Sequence, residues 1–167
     1  MKSRLIPLSA LSTVLFSMAI TAHAEVSVKD PWVRATVAEQ KATGAFMQLT
    51  AKSDTRLIEA RSTVAGAVEV HEMTMDNNVM RMRAVPNGID LPAGKTVELK
   101  PGSYHIMLLD LHHGLKTGET VPLTLVVEGK DKTRETIDIK ATVRAMAGAP
   151  GAPKASMGDE AHQHHHH

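Results

Sequence analysis

Thirteen residues, His71-Glu72-Met73-Thr74-Met75-Asp76-Asn77-Asn78-Val79-Met80-Arg81-Met82-Arg83, carry one imidazole and four thioethers. A second imidazole and thioether recur in Tyr104-His105-Ile106-Met107-Leu108. Thioether sulfur is a soft ligand and imidazole nitrogen a borderline one, a pairing suited to Cu(I) and poor for Mg, Ca or Mn. Such ligands are neutral and leave a bound ion open to exchange, as a carrier requires, whereas thiolates outside the cytoplasm would be prone to oxidation. The 167 residues include no cysteine. That removes disulfides, thiolate zinc and iron–sulfur sites, thiol nucleophiles and blue copper. No acid–base pair or triad accompanies the cluster, so the expectation is a binding protein rather than an enzyme.

These side chains must be positioned by strands. Two asparagines accept the positive φ that a two-residue hairpin turn demands. A turn at Asn77-Asn78 sets Asp76 against Val79, Met75 against Met80, Met73 against Met82 and His71 against Ala84. One face of the hairpin then carries His71, Met73, Met75, Met80 and Met82. The other carries Glu72 opposite Arg83, most simply a cross-strand ion pair, and Thr74 opposite Arg81. In the second segment Tyr104, Ile106 and Leu108 alternate with His105 and Met107, which project together about 6.5 to 7 Å apart along the strand. Met is a common filler of cores, and Met47 is read that way; so many on one face beside a histidine is unusual for a core. His112 and His113, beside Gly114, are read as solvated loop residues.

Period-two alternation recurs along the body, in Val26 to Lys29, Trp32 to Thr36, Gly44 to Ala51, Arg56 to Ser62, Val68 to Met75, Val79 to Val85, Thr96 to Leu99, Tyr104 to Leu111, Val121 to Glu128 and Thr133 to Val143. Pro86-Asn87-Gly88, Pro92-Ala93-Gly94, Pro101-Gly102 and Gly129-Lys130-Asp131 punctuate it. Many short strands at this spacing predict an all-β domain, an antiparallel Greek-key sandwich or barrel, over residues 25–146. With 19 basic against 18 acidic side chains, nothing in the whole-chain charge suggests nucleic acid or a membrane surface as partner.

The two ends read differently. Lys2 and Arg4 precede an apolar run from Leu8 to Ile20 that closes on Ala22-His23-Ala24, the form of a cleaved secretory signal over residues 1–24. The run is shorter than a membrane span and is broken by Pro7, Ser9, Ser12 and Ser17, so no stable membrane insertion is expected after cleavage. Residues 147–167, GAPGAPKASMGDEAHQHHHH after Ala147, lose apolar periodicity, which predicts a disordered tail whose histidines suit divalent metals; a native tail is favoured over a purification tag.

His71, Met82 after ten intervening residues, and His105-x-Met107 resemble the signature of the PCuAC family, periplasmic copper chaperones that serve the copper A site of cytochrome c oxidase. Trp32-Val33-Arg34-Ala35-Thr36, Thr43-Gly44-Ala45-Phe46-Met47, Leu91-Pro92-Ala93-Gly94, Leu99-Lys100-Pro101-Gly102-Ser103-Tyr104-His105 and Val121-Pro122-Leu123-Thr124-Leu125 agree with it. The resemblance implies a cupredoxin-like Greek-key β-sandwich in the periplasm that binds one Cu(I) through His71, Met82, His105 and Met107. It implies as partner the oxidase subunit carrying the copper A site, or a copper assembly factor. Family members often bear a His- and Met-containing extension for Cu(II), which suits Met146, Met157 and the histidine tail here. Because Met73 faces Met82 in the hairpin register, it competes for a place around the metal, and Met75 with Met80 forms a loading shelf. Three other functions compete with delivery: copper storage or resistance, a small copper oxidoreductase, and a Met-rich interaction module.

Overall fold

The computed structural model describes residues 26–145. The expected signal segment 1–24 and the tail 147–167, with its Cu(II) role, lie outside them.

Ten strands follow one another: β1 (Val26–Arg34), β2 (Ala42–Ala51), β3 (Thr55–Arg61), β4 (Ala65–Asp76), β5 (Val79–Ala84), β6 (Ile89–Leu91), β7 (Thr96–Leu99), β8 (His105–Leu111), β9 (Thr120–Gly129) and β10 (Arg134–Arg144). They join in one continuous sheet in the order β5-β4-β8-β2-β1-β10-β9-β3-β6, with β7 pairing β2. Folded over on itself, the sheet encloses a single aliphatic core that draws Leu49, Leu57, Ile106, Leu108, Leu123 and Val143 from strands far apart in sequence. Each of these is buried, and full burial of such a side chain stabilises by about 1.5–3 kcal/mol. Met47, 2% exposed, belongs to that core, as its position predicted.

Three details depart from the sequence-based expectations. The two segments expected at Val26 to Lys29 and Trp32 to Thr36 are one bulged strand. Lys29 faces Gln48 while Trp32 faces Phe46, so an extra residue is accommodated beside Asp30, whose φ is 51°. The bulge absorbs Pro31, which cannot donate to a ladder. β6 was not expected, because three residues between two turns are too few to show a period; Ile89 and Leu91 are nonetheless buried. And the sandwich is not wholly antiparallel: β1 runs parallel to β10, a pairing that needs a long connection and here joins the first strand to the last.

The β4-β5 hairpin has the predicted register, with Met75 against Met80, Met73 against Met82 and His71 against Ala84. Asn77 and Asn78 have φ of 48° and 61°, as a two-residue turn of the primed type requires. Glu72 and Arg83 make their ion pair at 2.6 Å.

Candidate metal centre

β4 is the element that assembles the site, because it pairs with β5 on one side and β8 on the other. Val70 faces Ile106 in the core, so the next pair, His71 and His105, face each other on the outer face of the sheet. Their rings lie 5.8 Å apart, edge to face. Met82 arrives from β5, and Met107 from β8, where it faces Gly44 of β2. A cleft of about 320 Å³ opens there, with Met73, Met82, His105, Met107, Phe46 and Arg34 among its walls.

The hydrogen bonds fix which nitrogen of each imidazole is free. His105 Nδ1 lies 3.0 Å from the Ser103 carbonyl oxygen, which can only accept, so Nδ1 carries the proton and Nε2 the lone pair. That lone pair faces Met82 Sδ at 3.0 Å. Burial holds the His105 imidazole below its ordinary value of 6.5; the Ser103 hydrogen bond opposes this, and the nearby charges of His71 and Arg34 add to it. The ring is therefore neutral at pH 7, the form that ligates metals. Two electron-rich atoms, a nitrogen and a sulfur, point at each other with no proton between them, and a soft cation satisfies both.

His71 is held by Glu69, whose carboxylate accepts from Nε2 at 2.7 Å. Its Nδ1 is buried with no hydrogen-bond partner, an omission that costs about 1–3 kcal/mol unless something else engages the atom. His71 is not in the lining of the cleft; it stands behind His105, its side chain 13% exposed. The structure thus brings Met82, His105 and Met107 into one cleft, adds Met73 to them, and sets His71 against its wall.

Several contributors escaped the sequence reading. Ser103 accepts both from His105 and from the Met73 amide, at 3.2 Å, tying the turn before β8 to the hairpin. Glu69 orients His71, and a carboxylate behind a ligating histidine raises its basicity. Trp32 and Phe46 stack at 4.5 Å, and Phe46 in turn lies 6.3 Å from His105, forming an aromatic wall. Phe46 can lie there because residue 44 is glycine: a Cβ on Gly44 would come within 2.8 Å of the ring. The available signal was that two of the four aromatic residues fall in Trp32-Val33-Arg34 and Thr43-Gly44-Ala45-Phe46, the segments that carried the resemblance.

Charge at the site favours a monovalent ion. The Arg34 guanidinium sits 5.8 Å above the Phe46 ring on the wall of the cleft, and its fixed positive charge repels a divalent ion twice as strongly as a monovalent one. Among the described residues no three His, Asp or Glu side chains converge to hold a metal. His112 and His113 are exposed, as expected of loop residues.

Comparison with known proteins agrees with the fold. The family model described as LpqE-like, a lipoprotein family, matches residues 26–152. Lxx21020 of Leifsonia xyli subsp. xyli, which carries a lipoprotein name, is 31% identical over 100 residues, 60% of each chain; the chain thus spans less than two thirds of that relative. The Cu(I) form of DR1885 from Deinococcus radiodurans superposes with a TM-score of 0.55 at 31% identity, over 75% of this chain and 83% of that one. A copper-bound PCuAC domain from PmoF2 gives 0.56 at 25% identity, over 77% of this chain and all of that domain.

Proposed function

The chain belongs to the LpqE-like family and has the PCuAC fold, and from that premise we propose that it is a periplasmic copper chaperone. It holds one Cu(I) with His71, Met82, His105 and Met107 and delivers it by ligand exchange for assembly of the copper A site of cytochrome c oxidase. The observation that carries this reading is the unprotonated Nε2 of His105 facing Met82 Sδ at 3.0 Å. The orphaned Nδ1 of His71 supports it, as do the copper-bound relatives.

The arrangement suits carriage. His105 is neutral and the two thioethers carry no charge, so these three donors leave the ion its full charge and take up no proton when it leaves. Met82 is 50% exposed on a strand at the end of the sheet order. A partner's donor atom therefore approaches from that side while the histidines, held by Glu69 and Ser103, stay in place. The receiving protein is the oxidase subunit that houses the copper A site, or an assembly factor that serves it, and the tail 147–167 offers a separate Cu(II) reservoir.

Replacing Met82 and Met107 together with Leu conserves volume and removes both sulfurs. Cu(I) affinity, read by competition with a chromophoric chelator, is expected to fall at least ~100-fold, that is ~2.7 kcal/mol, while the circular dichroism stays that of the parent. An unchanged affinity in the folded double variant overturns the assignment.

A further inference from the structure

Met75 and Met80 are not absorbed by that centre. They face each other one pair nearer the turn than Met73 and Met82, and they are 64% and 45% exposed. Packing does not account for them, since neither belongs to the core cluster. Nor is the hairpin an ordinary solvated one. Its other face carries the charges, with Arg83 bound to Glu72 at 2.6 Å and Arg81 to Asp76 at 3.1 Å, leaving the sulfurs segregated on one side.

Backbone geometry brings those sulfurs together. A two-residue turn makes its flanking pair, Asp76 and Val79, a hydrogen-bonded one; by alternation Met75–Met80 and Met73–Met82 are the non-bonded pairs, whose Cα atoms approach to about 4.5 Å. Both pairs project to the same face, successive rows about 7 Å apart along the strands. The unbranched Met side chain, with three rotatable bonds, lets two facing sulfurs meet one ion. The frame is fixed at both ends, by the Asn77-Asn78 turn and by the Met73 amide on the Ser103 carbonyl.

We propose that Met75 and Met80, with Met73 beside them, form a second, all-thioether site for a soft monovalent cation, outboard of the His/Met centre and feeding it. Its role as an entry step rests on the copper-carrier reading above. Cu(I) enters between Met75 and Met80, and each Cu–S bond that breaks there is replaced by one to Met73 or Met82. The metal stays Cu(I), and no electron or proton moves. With sulfur alone the outer site binds more weakly than the centre, so the ion passes inward.

The test is a titration of the full chain, labelled with 13C in the methionine methyl groups, with Ag(I) and with Cu(I) kept reduced by ascorbate. The first equivalent is expected to shift Met82 and Met107, and the second to shift Met75 and Met80 to saturation. In the Met75→Leu/Met80→Leu variant, which lacks those two methyl signals, the second equivalent no longer shifts Met73, the first keeps its affinity within twofold, and the rate of loading falls severalfold. Met75 and Met80 methyls that stay put through two equivalents overturn the outer site, and an unchanged loading rate overturns its feeding role. Met82 and Met107 unmoved while Met75 and Met80 respond would instead overturn the His/Met centre and leave the outer site standing.

Discussion

Two clefts at different places on this sandwich make opposite uses of polar side chains. The larger, about 500 Å³, lies among Asp54, Arg56, Asp90, Glu128, Lys130 and Lys132. There each acid meets a base: Arg56 with Asp90 at 2.7 Å, Lys130 with Asp54 at 2.6 Å, and Glu128 with Lys132 at 3.2 Å and Arg134 at 3.0 Å. These exposed pairs contribute little individually, but they leave each of those acids already matched to a base. The smaller cleft, at the hairpin, holds fewer charges and more unfinished chemistry: a nitrogen and a sulfur confronting each other, with the partnerless ring nitrogen of His71 buried behind its wall. Size does not mark the site. What marks it is the set of donor atoms that the protein's own hydrogen bonds leave unused.

The contrast can be broken from either side. Among single substitutions the largest effect is expected from Glu69→Ala, which frees His71 Nε2 and removes its orienting carboxylate; if His71 ligates as proposed, Cu(I) affinity should fall about 10–100-fold. Competition titration reads it, and an unchanged affinity would mean that Glu69 does not position the ring. Gly44→Ala comes next. Its Cβ, 2.8 Å from the Phe46 ring, must push that ring out of its present place beside Trp32. Such overpacking costs about 1–3 kcal/mol of stability; a melting temperature equal to the parent's would show that the wall yields freely.

The smallest effect belongs to the far cleft. Asp54→Asn removes one exposed pair and should leave Cu(I) affinity untouched, with only a slight change in melting temperature. Acid reaches the same pairs together. Hydrogen bonding from Ala93 and Lys130 holds Asp54 below the ordinary 3.8, and Arg134 and Lys132 hold Glu128 below 4.5. A carboxylate whose pKa is lower folded than unfolded stabilises above the unfolded value and loses that contribution as pH falls through the folded one. The share of these carboxylates in the apo protein's stability should therefore hold from pH 7 to about 5 and be lost below about pH 4, after the earlier loss that His105, held below 6.5, brings as pH falls through that value; a decline below about pH 4 that persisted unchanged in Asp54→Asn would assign it to other carboxylates.

Local rules went far here. The hairpin register, the face carrying five of the cluster's side chains, and the Glu72–Arg83 pair follow from two facts, a two-residue turn and a period of two, and both act over neighbouring residues. Met47 in the core and the exposed His112 and His113 were legible for the same reason. β6 was not, since Ile89–Leu91 is shorter than any recognisable pattern, and the bulge at Asp30 interrupted a strand that the pairing with β2 holds continuous.

Alternation assigns a side chain to a face but never names the strand that will lie alongside. The sequence determined that His71 and the methionines share one face, and that His105 and Met107 share another. Only the tertiary structure decided that β8 docks beside β4, so that the two faces become one and the imidazoles stand 5.8 Å apart. Ser103 and Glu69 reach their ring nitrogens from two residues away, a local matter, but the tertiary structure also set Phe46, backed by Trp32, as a wall of the cleft. Those choices depend on pairings between segments distant in the chain, which only the closing of one shared core could select.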